Sequence, residues 1–94
     1  IANMQDDAMV EVVCELGING PRPMSVGNIP QFYLGLLVQQ VSCEKLLVDA
    51  YYEHSYQKAL EAFTLNRLIN DAKVARKILD ALIEANKGMW PELK

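Results

Sequence analysis

PQFYLGLLVQQVSCEKLLVDAYYE, residues 30 to 53, is the stretch on which the fold turns. Pro30 suits the first turn of a helix, where its missing N–H leaves no bond unmade. From there the periodicity predicts a helix running to about Glu53, roughly 35 Å long at 1.5 Å per residue. Leu34, Leu37, Val38, Val41, Val48 and Tyr52 form one apolar stripe along it. Leu36, Cys43, Leu47 and Ala50 form a second on nearly the opposite side, with Gln39, Ser42, Asp49 and Glu53 in a narrow strip between. A surface helix carries one apolar face. Two opposed faces require cover on both sides.

On the N-terminal side, Ile18 to Pro30 is rich in turn residues, with Asn19-Gly20-Pro21, Pro23 and Gly27-Asn28. Ahead of it, Val10, Val12, Cys14 and Leu16 alternate with Glu11 and Glu15, so Ala8–Leu16 is expected to be a half-buried strand. A short extended piece at Met24–Val26 fits between the breakers and is expected to pair back on it. On the C-terminal side, a helix is expected from about Ser55, its N-cap, to Leu65. Another starts near Asn70-Asp71, with Val74, Ala75, Ile78, Leu79, Leu82 and Ala85 as its apolar stripe, and stops at Gly88 before Pro91. Met89-Trp90-Pro91 is expected to pack back. The class is α+β and mostly helical, a strand or hairpin followed by three helices. An isolated hairpin is marginal in water, so the strand needs a sheet to join.

Composition narrows the function classes. Ninety-four residues support one small domain, and a hydrophobic fraction of 51% excludes a disordered tail. The net charge of −3, with nine Lys and Arg scattered along the chain, gives no footprint for nucleic acid. No apolar run is long enough to cross a membrane and no polybasic cluster marks a lipid surface. Two cysteines, Cys14 and Cys43, are too few for a secreted disulfide scaffold and read as reduced, buried thiols. Ile1–Asp7 reads as the middle of something, and the start as a cut.

No catalytic constellation emerges from the residues. His54, the single histidine, stands beside Glu53 at the end of the long helix. Neither has metal-ligand spacing to Cys14 or Cys43, and a helix C-terminus favours an imidazolium without any metal. Ser25, Ser42 and Ser55 lack a nucleophile elbow. Asp6-Asp7 lies in a polar leader, and Asp80 with Glu84 on a solvated helix face. Asn19-Gly20 and Gly27-Asn28 are turn residues without a phosphate-cradling motif.

Read as an ordered set, the segments carry a resemblance. Asp7-Ala8-Met9-Val10-Glu11-Val12, Asn19-Gly20-Pro21 and Val26-Gly27-Asn28-Ile29-Pro30 resemble the opening of the last part of family 4 glycosidases. Gln39-Gln40-Val41, Glu44-Lys45-Leu46 and Val48-Asp49-Ala50 resemble the helix that follows there. Ser55-Tyr56-Gln57-Lys58, Ala62-Phe63-Thr64-Leu65, Ala75-Arg76-Lys77-Ile78-Leu79, Glu84-Ala85-Asn86-Lys87 and Trp90-Pro91-Glu92-Leu93 look most like the 6-phospho-α-glucosidase (maltose-6-phosphate hydrolase) branch.

The resemblance implies an N-terminal Rossmann domain for NAD, absent from residues 1–94. It also implies a C-terminal domain like that of lactate and malate dehydrogenases, of which residues 1–94 are a single segment in the substrate and oligomerisation part. The implied enzyme is cytoplasmic and oligomeric, and uses NAD and a divalent metal, typically manganese. Its substrates are 6-phosphorylated disaccharides such as maltose 6-phosphate. The implied chemistry is oxidation at C3, proton abstraction at C2, elimination of the aglycone and the reverse steps.

The family's glycine-rich NAD loop, metal-binding Cys and His, base Tyr and phosphate-gripping Arg lie upstream of this segment. Cys14 and His54 sit outside those motifs, and Val13 stands where Pro is frequent. No catalytic, cofactor-binding or metal-binding residue is carried over, and the chain alone is expected to be inactive. Its partner is then the rest of the enzyme, to which the long helix gives a floor and subunit contacts. Asn19 and Gly20 are expected near the active-site wall. The competing expectation is a self-standing helical module that dimerises through its spare apolar face.

Overall fold

The computed structural model describes residues 1–94 and divides into two compact units, residues 1–38 and 39–94. In chain order it has strands β1 (Cys14–Gly17) and β2 (Gly20–Pro23), then helices α1 (Gln31–Glu53), α2 (Tyr56–Leu65) and α3 (Ala72–Ala85). The expected hairpin and three helices are present.

In the first unit the strands pair antiparallel, with Glu15 opposite Arg22 and Gly17 opposite Gly20. Neither Ile18 nor Asn19 takes a positive φ, whereas Gly20 stands at +96°. A turn followed by a left-handed glycine matches the right-handed twist of the strands. Met24 N–H donates to Val13 O at 2.9 Å, which fixes the parity of the ladder. Residues 20, 22 and 24 of the second chain segment face inward, so Pro21 and Pro23 face outward, where no N–H is needed. The outer edge of β2 is therefore blunted and that of β1 is open.

Two expectations need correction. The strand begins at Cys14 and not Ala8, because alternation alone does not make a strand where no neighbour pairs. The returning strand is Gly20–Pro23 and not Met24–Val26, because the turn at Ile18-Asn19 sets the register earlier. Ahead of the strands, the Asn3 side chain clamps Ile29 from both sides. Its Nδ2 donates to Ile29 O and its Oδ1 accepts from Ile29 N–H, each at 3.0 Å. Ala2 N–H donates to Gly27 O at 2.8 Å, so the leader lies along the approach to Pro30.

The second unit is built on small residues. Ala50 of α1, Ala59 of α2 and Leu79 of α3 meet in its centre, ringed by Tyr56, Leu60, Phe63, Ile83 and Leu93. The second stripe of α1 supplies this face, since Leu47 and Cys43 also line cavities shared with α2. On the first stripe Val48 and Tyr52 are exposed. One face of α1 is thus packed and part of the other is bare.

The helix ends follow local rules. Ser55 Oγ accepts from Lys58 N–H at 3.2 Å, and Asp71 Oδ1 accepts from Lys73 and Val74 N–H. α1 ends on His54 at φ 57°, with Ser55 N–H donating to Ala50 O at 3.0 Å. That is a Schellman closure made with a non-glycine residue in the left-handed position. α3 ends at Ala85, a little short of Gly88, because the Asn86 side chain caps it by donating to Leu82 O at 2.8 Å.

Tyr56 ties α2 to α3 through its hydroxyl, which donates to Asp80 Oδ1 at 2.6 Å. That hydrogen bond, followed by burial and the Asp80 charge, raises the Tyr56 pKa above 10, with Arg76 opposing. Only the neutral phenol donates. The contribution is therefore full below the unfolded tyrosine pKa of about 10 and is lost as pH rises through the higher folded value. Tyr56→Phe is expected to cost about 1 kcal/mol near neutral pH, because solvent reaches the pair. Denaturant midpoints of the two proteins should converge at strongly alkaline pH; a gap that stays constant would contradict this role.

Candidate functional site

Asn19 and Gly20 occupy the tip of the hairpin, side by side and exposed. The left-handed Gly20 turns the chain there, and a Cβ at that position would meet no neighbour but would be strained by the backbone itself. Behind the tip, Arg22 Nη2 donates to Glu15 Oε2 at 2.7 Å across the strands. Both side chains are well solvated, so this pair steadies the hairpin only slightly. The tip offers a backbone turn and an amide side chain, which can contact a ligand but cannot carry acid–base or nucleophilic chemistry.

The other polar candidates do not converge. Cys14 is exposed on β1 and Cys43 is buried within α1, and both are free thiols. The expectation of two buried thiols fails for Cys14, because no layer covers β1 in this chain. Cys43 has its pKa raised chiefly by burial, with Glu44 adding and a backbone hydrogen bond opposing, which leaves an inert thiol.

His54 Nδ1 lies 3.2 Å from Glu92 O, so its ring is engaged by the segment after α3. Glu53 accepts from Lys58 Nζ at 2.7 Å, and Asp49 does so at 3.4 Å. The Lys58 pKa is raised, chiefly by the Glu53 hydrogen bond. This arrangement is a helix-to-helix tie between the end of α1 and the start of α2. No group of three or more His, Cys, Asp or Glu side chains comes together to hold a metal ion. No helix is long and apolar enough to cross a membrane.

Sequence reasoning missed Asn3 and underrated His54. A lone Asn in a polar leader gives no signal of a partner 26 residues away. Nothing in the sequence says that His54 takes the position glycine usually holds.

An apolar cavity of about 170 Å³ lies among the three helices of the second unit. Leu47, Phe63, Leu79, Leu82, Trp90 and Leu93 are among its lining residues. Asn86 is its single polar lining residue and no cation reaches it, so it has the composition of a gap in a core rather than of a sugar-phosphate site.

The chain is similar to proteins of one kind. The family described as the family 4 glycosyl hydrolase C-terminal domain matches residues 1–69. The maltose-6'-phosphate glucosidase of Clostridium acetobutylicum is 56% identical over 99% of this chain and 21% of that protein. A probable 6-phospho-beta-glucosidase of Bacillus subtilis is 40% identical over 98% of this chain and 21% of that protein. The chain thus spans about a fifth of the length of the curated relatives it matches.

Two solved structures are close. A 6-phospho-alpha-glucosidase from gut microorganisms, in complex with NAD and Mn2+, is 91% identical with a TM-score of 0.93 over 100% of this chain and 22% of that one. Another, in complex with NAD and glucose-6-phosphate, is 57% identical with a TM-score of 0.92, covering 100% of this chain and 21% of that one.

Proposed function

Because this chain belongs to the family 4 glycosyl hydrolases, within their C-terminal domain, we propose that it is a structural portion of an NAD- and Mn2+-dependent 6-phospho-α-glucosidase. The substrates are 6-phosphorylated α-glucosides such as maltose 6-phosphate. The observation that carries this reading is identity along nearly the whole chain with a maltose-6'-phosphate glucosidase, against markedly lower identity with a probable 6-phospho-beta-glucosidase. A self-standing dimerisation module accounts for bare apolar surface equally well, but not for that collinear identity.

The residues of this chain fit neither cofactor. They gather no metal-ligand group; the left-handed Gly20 joins two strands, and the left-handed Gly27 ahead of α1 stands in no glycine-rich motif of the kind that cradles a pyrophosphate. No catalytic step is therefore assigned to them. Residues 1–94 serve as one segment of the substrate and oligomerisation domain, and the remainder of the enzyme supplies the Rossmann domain and the reacting groups. Asn19 and Gly20 sit near the active-site wall, where an exposed hairpin tip is suited to touch substrate without reacting with it. β1 offers its open edge to the sheet of the same domain. NAD and phosphorylated sugars are held inside cells, so the proposal carries a cytoplasmic location, and the bare part of α1 serves contacts between like subunits.

The test is hydrolysis of 4-nitrophenyl α-glucoside 6-phosphate by the full-length protein. Activity should require both NAD and Mn2+, vanish on chelation and return with added Mn2+. The β-anomer should be the poorer substrate. A preference for the β-anomer would defeat the substrate assignment, and turnover of neither would defeat the enzymatic one.

A further inference from the structure

The proposed activity leaves the segment after α3 without a role, yet several unlike contacts converge on it. Trp90 packs edge-on against Tyr51 of α1, with ring centroids 5.9 Å apart. Leu93 enters the core around Ala50, Ala59 and Leu79. Glu92 O meets His54 Nδ1. Lys94 uses its backbone in both senses, its N–H donating to His54 O at 2.8 Å and its carbonyl accepting from Tyr56 N–H at 3.1 Å.

Those last two bonds fall where the helices leave groups unmatched. Tyr56 N–H is among the first donors of α2, which have no partner inside the helix, and His54 O lies just past the end of α1. Ser55 Oγ serves Lys58 N–H and does not reach back to Tyr56. A single residue, 38 positions away from Tyr56 in sequence, completes both sides of the elbow. The same segment walls the apolar cavity, since Trp90 and Leu93 line it with residues of all three helices.

We propose that Trp90–Lys94 is a latch that fastens the elbow between α1 and α2 and closes the cavity between the three helices. The left-handed His54 is a costly conformation for a non-glycine residue, and the latch adds to the Schellman bond from Ser55 N–H to Ala50 O in holding it. Release of the segment uncaps the start of α2 and opens the cavity, while α3, capped by Asp71 and Asn86, stays formed.

Lys94→Pro deletes the N–H that bonds His54 O and keeps the carbonyl that receives Tyr56 N–H, so faster Tyr56 exchange there reports release of the segment as a unit; Lys94→Ala keeps both backbone bonds. In the full chain, the lost bond leaves His54 O unmatched and favours release of the latch by about tenfold or more, and amide exchange at Tyr56, which depends on that release, is expected to accelerate by the same factor in Lys94→Pro. Lys94→Ala should stay within about twofold of wild type on the same reasoning. The amides of α3 should be unaffected in both. Equal Tyr56 exchange in all three proteins would overturn the latch. So would acceleration spread uniformly over α2 and α3, which would mean general loss of packing.

Discussion

Leu79→Ala is expected to lower the stability of the second unit by about 2 to 5 kcal/mol, the range found for burying an alanine where a leucine stood. Leu79 is 4% exposed and is the one side chain larger than alanine in the central trio with Ala50 and Ala59. It supplies most of the dispersion contact there, and Tyr56, Leu60, Phe63 and Ile83 pack around the same cluster. It also lines the cavity of about 170 Å³, so truncation merges new empty space with old. Denaturant midpoints are the measurement. Leu68→Ala serves as the control, since Leu68 is 95% exposed and its loss should cost less than about 0.5 kcal/mol. Equal effects at the two sites would show that Leu79 is not core.

Ala50→Leu is expected to destabilise by about 1 to 3 kcal/mol, for the opposite reason. Ala50 is fully buried at 0% exposure and meets Ala59, itself 1% exposed, where α1 approaches α2. Three added heavy atoms have no space there. The neighbouring cavity opens on Ala59 and Leu79 and not on Ala50 itself, so a leucine at position 50 reaches it only by displacing them. The helices must separate, and the Lys58 tie to Asp49 and Glu53 stretches with them. Ala50→Leu should therefore melt earlier than wild type although leucine is a good helix former. A stabilised variant would mean that the contact between α1 and α2 is looser than described.

What could be read from the sequence was what is local. Ser55 and Asp71 cap α2 and α3 as their side-chain chemistry requires, and α1 runs to Glu53 as its periodicity demands. The two apolar stripes of α1 were legible as stripes. Which parts of each this chain covers was not, because that depends on α2 and α3 folding back onto Leu47 and Ala50, and Val41 of the first stripe is buried as well. The strand was misjudged for a related reason. Ala8–Val13 alternates as a strand should, but a strand exists only where a neighbour pairs with it, and the returning chain reaches only as far as Val13. The Asn3 side-chain clamp on Ile29 and the Lys94 bonds at the elbow span long separations to backbone groups, which carry no residue signature. Of the candidate site, the turn at Asn19-Gly20 was visible at once, since only glycine takes φ +96° freely.

The physical claim beneath these conclusions concerns cover. No residue among 1–38 is buried, and β1 presents Leu16, 82% exposed, beside an unblunted edge. In the full-length protein that edge is expected to be paired. The ladder parity aims the N–H groups of Cys14 and Leu16 outward, away from β2. Amide exchange at those two positions in the full-length protein is the direct test. Protection of both, comparable to that of Glu15, is the result expected of a strand inside a larger sheet. Exchange of Cys14 and Leu16 as fast as in a free peptide, with Glu15 still protected, would mean that β1 is an outer strand and that nothing in the full-length protein covers it.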